Sequence, residues 1–257
     1  MRVLIVSLYH PELVRGGSQR VALDLFEALQ TRRAATPAME AHLLSSCTSG
    51  VMPALAHAGT AISGFDGRAD QHLFFSDHFD SFWQKQGDPR ALADFARFLE
   101  RLRPEVVHFQ HFVGYGIEML TLTRKVLPEC RIVLTLHEFQ AICAADGQMR
   151  RRVDGTNCTN ESPARCHQCL PEHPPERFFL RKRWLLRHLE AVDAFTCPSR
   201  FMLDRYIAWG LPAEKLFHVT NGQPDHAARL PLPAPPQRHG HRVPASGFSA
   251  NCTTARA

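Results

Sequence analysis

The sequence predicts an α/β fold, a Rossmann-like, doubly wound parallel sheet. Short, near-continuously apolar runs recur at Arg2–Leu8, Glu40–Ser45, Val106–Gln110, Ile132–His137, Ala194–Pro198 and Leu216–Thr220. Such runs are typical of parallel strands covered on both faces. Helical spacing fills the intervals, and strand–helix alternation builds a parallel sheet with crossover helices. The first run leads through a loop into Gly16-Gly17 and then at once into a helical pattern. A chain of 257 residues with 44% hydrophobic content has room for one large domain or two small ones.

Each element has its own signal. In Arg20–Leu29 the apolar residues Val21, Leu25 and Leu29 recur at every fourth position, with Ala22 and Phe26 beside them. Residues 47–87 have weak periodicity and read as a loop-rich excursion. Asp88-Pro89 reads as an N-cap followed by proline at the first helical position. It opens Arg90–Arg103, where Leu92, Phe95, Phe98, Leu99 and Leu102 share a face and Pro104 ends the helix. Gly116–Leu127 repeats the theme and stops at Pro128. Ser199 reads as the cap of Arg200–Trp209, which Gly210 and Pro212 close.

Two further segments lack this rhythm. Residues 143–175 carry clustered Cys, Pro and Arg without a period and read as a Cys-rich insertion. After Gly222 come Pro224, Pro231, Pro233, Pro235, Pro236 and Pro244, with scattered His and Arg and no packable pattern. The expectation is a domain over 1–222 and a disordered tail over 223–257. The abrupt change of character also fits a shifted reading frame of a longer gene.

The net charge of +5 is unevenly spread. Residues 223–257 hold Arg229, Arg238, Arg242 and Arg256 against Asp225 alone, so +3 of the +5 sits there. Nucleic acid is therefore not an expected partner. The apolar run Val3–Leu8 is too short for a secretory signal and lacks a cleavage site. No stretch approaches the roughly 18–20 apolar residues of a membrane span. The expected location is the cytoplasm, where disulfides are rare. Arg177–His188 mixes Arg181, Lys182, Arg183 and Arg187 with Phe178, Phe179, Leu180, Trp184, Leu185 and Leu186. It reads either as a helix with one packed and one solvated face, or as a basic amphipathic helix peripheral to the anionic inner membrane face.

The candidate chemistry lies in three groups. Gly16-Gly17 at a helix start can present unpaired backbone N–H groups to a phosphate or carboxylate, or can serve as a plain tight turn. The chain lacks the G-x-G-x-x-G and G-x-x-x-x-G-K-[ST] fingerprints there, which disfavours an NAD or ATP enzyme. His108 and His111 follow one strand, and His137 with Glu138 closes the next. Polar groups at the carboxyl ends of parallel strands line ligand crevices, although a strand-end histidine can also simply bond a carbonyl. A metal site from the three histidines has no H-E-x-x-H spacing behind it. Cys143, Cys158, Cys166 and Cys169 follow a C-x14-C-x7-C-x2-C spacing, ending in Cys166-His-Gln-Cys169. They can supply four thiolates to a structural zinc. Free thiols, a redox pair and an iron–sulfur cluster are the other readings.

Taken in order, these residues resemble the N-terminal domain of family 4 glycosyltransferases. The likeness rests on strand–Gly16-Gly17–helix, Val106-Val-His108, Thr135-Leu-His137-Glu138, Cys197-Pro-Ser199 and Val219-Thr-Asn221-Gly222. It implies one N-terminal half of a GT-B architecture, in which two Rossmann-like domains face each other across a cleft. It implies a retaining hexosyltransferase that needs no cofactor for catalysis, with a nucleotide-sugar donor and a sugar or glycan acceptor. By the same resemblance Gly16 and Gly17 lie near the donor diphosphate. His137 contacts the transferred sugar as the catalytic-site histidine, and His108, His111 and Glu138 line the substrate site. The family's C-terminal domain and its E-x7-E motif do not follow Gly222 in this sequence. The expectation is therefore an acceptor-side domain, truncated or completed by a separate C-terminal domain, with weak or no activity alone. The alternatives are a non-catalytic carbohydrate- or nucleotide-binding domain and a zinc-bearing interaction module.

Overall fold

The structure is a computed structural model that describes residues 1–34 and 38–222. The tail expected to be disordered or frameshifted, 223–257, lies outside the described residues. Among the described residues ten strands and six α-helices follow one another: β1 (Arg2–Ser7), α1 (Gly17–Gln30), β2 (Glu40–Cys47), β3 (Ile62–Phe65), β4 (Arg68–Phe75), β5 (Phe79–Asp80), β6 (Lys85–Gln86), α2 (Pro89–Leu102), β7 (Val106–Phe109), α3 (Glu118–Val126), β8 (Arg131–Thr135), α4 (Pro163–Cys169), α5 (Pro175–Leu189), β9 (Ala194–Cys197), α6 (Arg200–Trp209) and β10 (Leu216–His218).

Eight of the strands form one sheet in the order β10-β9-β8-β7-β1-β2-β4-β3. All its pairings are parallel except β3 with β4. The six strands expected from the apolar runs are all present. Alternate residues of β1 face opposite layers. Val3 and Ile5 pack with Ala22, Leu23 and Phe26 of α1. Leu4 and Val6 join a larger core containing Phe95 and Leu99 of α2, Leu120 of α3, Leu185 of α5 and Trp209 of α6.

The helix boundaries follow the expected chemistry. Asp88 Oδ1 accepts the Arg90 N–H at 2.9 Å with Pro89 at the first position of α2. Ser199 Oγ accepts the Met202 N–H at 3.2 Å at the start of α6. Gly210 ends α6 with φ of 121°. This left-handed region carries a steric cost for other residues.

Residues 47–87 correct one expectation. They are not loop alone: β3 and β4 form a hairpin that extends the sheet past β2, and β5 pairs with β6. The turn is Asp66-Gly67, with φ of 51° and 69°. A two-residue Asp-Gly turn is a strong hairpin signal. The signal was obscured because β4 buries polar Gln71 and has His72 edge-on to Phe98 instead of an apolar run. The segment after β8 is irregular as expected, holding α4 and a small bridge between Arg150 and Asn157. In α5 the inner face carries Phe178, Arg181, Leu185, His188 and Leu189. Arg181 therefore belongs to the packed side, while Phe179, Leu180, Arg183 and Arg187 are exposed. Among the described residues no helix is long and apolar enough to cross a membrane.

Candidate functional site at the carboxyl edge of the sheet

Strand β1 has β2 on one side and β7 on the other. The chain leaves β1 towards β2 and later returns to β1's opposite flank. This reversal is the topological switch point, where open α/β sheets hold ligands outside their carboxyl ends. The expected site residues follow the three strands at and beside it, β1, β7 and β8.

The loop after β1 is anchored on its far side. His10 is 1% exposed, and its Nε2 meets Gln71 Oε1 at 2.9 Å. His10 Nδ1 accepts the Glu12 N–H at 3.2 Å, so Nε2 carries the hydrogen donated to Gln71. Arg68 grips Glu12 with contacts of 2.7 and 3.1 Å. Gly16 is the N-cap of α1, with extended backbone and no side-chain cap, and the first turn of α1 has no acidic residue. Its leading N–H groups keep their partial positive charge for an incoming anion. The two glycines differ. A Cβ on Gly16 would lie 2.2 Å from Gln19 Oε1, whereas one on Gly17 would meet nothing within 4 Å. Gly17 is the open one.

At the ends of β7 and β8 the histidines form a connected set. His137 Nε2 meets Gln110 Oε1 at 2.7 Å, and Gln110 Nε2 meets His108 Nε2 at 3.1 Å. His108 Nε2 also meets Thr135 Oγ1 at 2.8 Å, and Thr135 Oγ1 meets Thr196 Oγ1 at 2.7 Å. The contact at His137 determines its hydrogen. Gln110 Oε1 can only accept, so His137 carries its proton on Nε2 and keeps a lone pair on Nδ1. Burial lowers His108 and His137 to about 4 and His111 to about 3, and His137 adds to the lowering of the other two. All three rings are neutral near pH 7.

Glu138 complements them. Burial raises its carboxyl to about 8, outweighing the Gln140 N–H and the Arg181 charge that pull it down. Its Oε1 lies 3.7 Å from His111 Nε2. With both groups neutral, this is a contact between an acid and an imidazole rather than an ion pair. Glu138 Oε2 accepts the Gln140 N–H. Gly147, at φ of 65°, passes so close that a Cβ there would sit 2.7 Å from Oε2. Tyr206 Oη donates to the Glu138 carbonyl at 2.7 Å. Nearby, Tyr115 Oη lies 2.8 Å from both the Ser7 and Leu44 carbonyls, pinning the ends of β1 and β2.

His108, His111, His137 and Glu138 are thus gathered on neighbouring strands, and Gly16 and Gly17 start the helix after the adjoining strand. The three histidines do not converge as metal ligands; His108 and His137 sit on opposite ends of one amide. Nor do His108 and His137 merely cap carbonyls, since their partners are side chains. Sequence reasoning missed Gln110, Thr135 and Thr196, which connect the set. The available signal was a polar residue in or just after the last turn of an otherwise apolar strand.

The four cysteines named from spacing all carry free thiols and are half-buried. Among the described residues, no group of three or more His, Cys, Asp or Glu is preassembled to hold a metal ion.

Among curated proteins, none matches the sequence. Several solved structures are similar to it. HepE of Anabaena, solved with UDP and glucose, shares 12% identity at a TM-score of 0.45, over 87% of this chain and 45% of HepE. WaaB, a lipopolysaccharide outer core galactosyltransferase in its apo form, shares 12% at 0.43, over 86% of this chain and 45% of WaaB. A UDP-GlcNAc 2-epimerase from Methanocaldococcus jannaschii shares 10% at 0.43, over 86% of this chain and 46% of the epimerase. The chain spans a little under half the length of each. The family pattern described as Glycosyltransferase Family 4 matches residues 15–224. That span takes in α1, every later strand and helix, and both histidine-bearing strand ends, and the chain belongs to glycosyltransferase family 4.

Proposed function

We propose that residues 1–222 are the acceptor-side half of a retaining, nucleotide-sugar-dependent hexosyltransferase. The observation that carries this is the placement, in a family 4 sheet, of an uncapped helix start after β1 and a neutral histidine set at the ends of β7 and β8, on one side of the switch point. Gly17 gives the donor diphosphate access to the leading N–H groups of α1. His137 offers Nδ1 as an acceptor for a sugar hydroxyl while Gln110 holds its Nε2–H. His108 and His111 line the crevice, and protonated Glu138 can donate to an acceptor oxygen.

Glycosyl transfer also requires the leaving diphosphate to be held and neutralised while the acceptor is positioned. In this reading a C-terminal GT-B domain supplies that second wall, and no cofactor takes part in the chemistry. The purified chain alone, incubated with UDP- and GDP-sugars, is expected to show weak or no turnover. Turnover at ordinary enzyme rates would overturn the half-site reading. UDP binding that is unchanged in Gly17→Val and His137→Ala would overturn the residue roles.

The exposed strip Phe179, Leu180, Arg183 and Arg187 of α5 supports a peripheral contact with anionic inner-membrane lipid. Co-sedimentation with phosphatidylglycerol vesicles, abolished by Arg183→Glu with Arg187→Glu, is the expected result. No co-sedimentation of the parent would remove this contact.

A further inference from the structure

The cysteine-bearing segment has little of its own to hold it in place. Helix α4 buries no residue, and the apolar cluster beneath it has only Phe82, Ala145, Leu170 and Phe178 as buried members. Yet its four cysteines arrive at one spot from two turns and one short helix. Cys143 sits in the turn after β8, its N–H bonded to the Phe139 carbonyl at 2.7 Å. Cys158 closes the bridged turn, its N–H bonded to the Met149 carbonyl at 2.7 Å. Cys166 and Cys169 lie three apart on α4, which puts them on one face. All four line a single small cavity of about 30 Å³, closed by Leu170 and Phe178 and bordered by Arg150 and Arg165.

A second observation concerns charge. Arg181 is 2% exposed and forms no salt bridge among the described residues. Its guanidinium donates to the carbonyls of Phe82, Ala141 and Gln140, at 2.5, 2.7 and 2.5 Å. Glu161 is the charge that most offsets its burial, and Cys143 and Cys166 are also close enough that a negative charge on either would stabilise it. Arg150 and Arg165 add two more cations at the same cavity.

We propose that Cys143, Cys158, Cys166 and Cys169 bind one zinc ion as a structural tetrathiolate site. The thiols are gathered but not closed. Cys143 Sγ donates to the Ala145 carbonyl at 3.5 Å instead of facing its partners, and side-chain rotation has to complete the set. Binding displaces four thiol protons to solvent and leaves a centre of net charge −2, which Arg181, Arg150 and Arg165 offset. The metal supplies the cross-link that the segment's small apolar core does not.

The test uses the full chain. Metal analysis is expected to give about one zinc per chain. After removal of zinc, added cobalt(II) is expected to give intense thiolate-to-metal charge-transfer bands and the visible bands of a tetrahedral site. Cys166→Ser with Cys169→Ser loses the zinc, whereas Cys47→Ser, in the sheet core, retains it. Cys158→Ser keeps three thiolates and binds cobalt(II) with weaker charge-transfer intensity. A parent chain that neither carries zinc nor gives the cobalt(II) bands would overturn the proposal, as would a folded double variant with full zinc content. If the double variant does not fold, the parent's cobalt(II) spectrum decides.

Discussion

Two polar clusters lie at and beyond the ends of β7 and β8, and they are held in opposite ways. The histidine set sits on strand ends whose positions the parallel ladder dictates: His108 pairs in register with Ile5 and Val133, and Thr135 with Thr196. Its side chains bond one another, so no mobile group has to be recruited. The cysteine set sits on turns above a small apolar cluster, and its side chains do not bond one another. The lesson is that a sheet edge can preorganise a site through backbone alone, whereas an irregular segment of similar polarity needs a cross-link from outside the chain.

The sharpest way to break this comparison is at Arg181, which ties α5 to the chain just after Glu138. Arg181→Met leaves three carbonyls without their donor and is expected to cost roughly 3–5 kcal/mol in urea unfolding. Histidine ring resonances should survive while the cysteine segment exchanges its amide hydrogens faster. Equal loosening of both clusters would mean that they form one cooperative unit.

A smaller effect is expected at the floor of the crevice. Tyr115→Phe removes the hydroxyl shared by Ser7 and Leu44 and should cost about 1–2 kcal/mol by the same measurement. It should not change zinc content.

The two clusters should also differ in their response to pH. Glu138 has its carboxyl raised from 4.5 to about 8, so it binds its proton more tightly in the folded state. Its contribution to stability is full below the unfolded value and is lost as pH rises through about 8. His108, His111 and His137 are lowered from 6.5, so their contribution is full above that value and is lost as pH falls towards about 4. Glu138→Gln should therefore flatten the alkaline limb of the stability profile and leave the acid limb in place. An unchanged alkaline limb in chemical denaturation would show that Glu138 is ionised in the native protein.

The smallest effect separates stability from binding. Gly17→Ala meets no neighbour and sits at the first position of α1, so it should stabilise the fold by about 0.5 kcal/mol. The same methyl group narrows the approach to the start of α1, so UDP affinity measured by calorimetry should fall. Unchanged affinity would move the diphosphate away from Gly17.

Much of the architecture was legible because parallel strands buried on both faces have little choice of residue. The run Val3–Val6 and the caps Asp88 and Ser199 are cases where local preference and tertiary need agree. The β3–β4 hairpin was not legible, because His72 and Gln71 interrupt the apolar pattern and pack inside the fold with Phe98 and His10. At the site, the chemistry-bearing residue types stood out in the sequence, but their connections did not. Gln110 joins His108 to His137 across two strands, and only the register of β7 against β8 brings those groups within reach.

The orientation of the Gln110 amide has a consequence of its own. Turning that amide over would set its N–H against the His137 N–H. Relief would require the His137 ring to move its proton to Nδ1. Neither group can reverse alone. Gln110 thus acts as a keeper of the His137 tautomer, and in the observed orientation His137 shows an arriving sugar an acceptor at Nδ1.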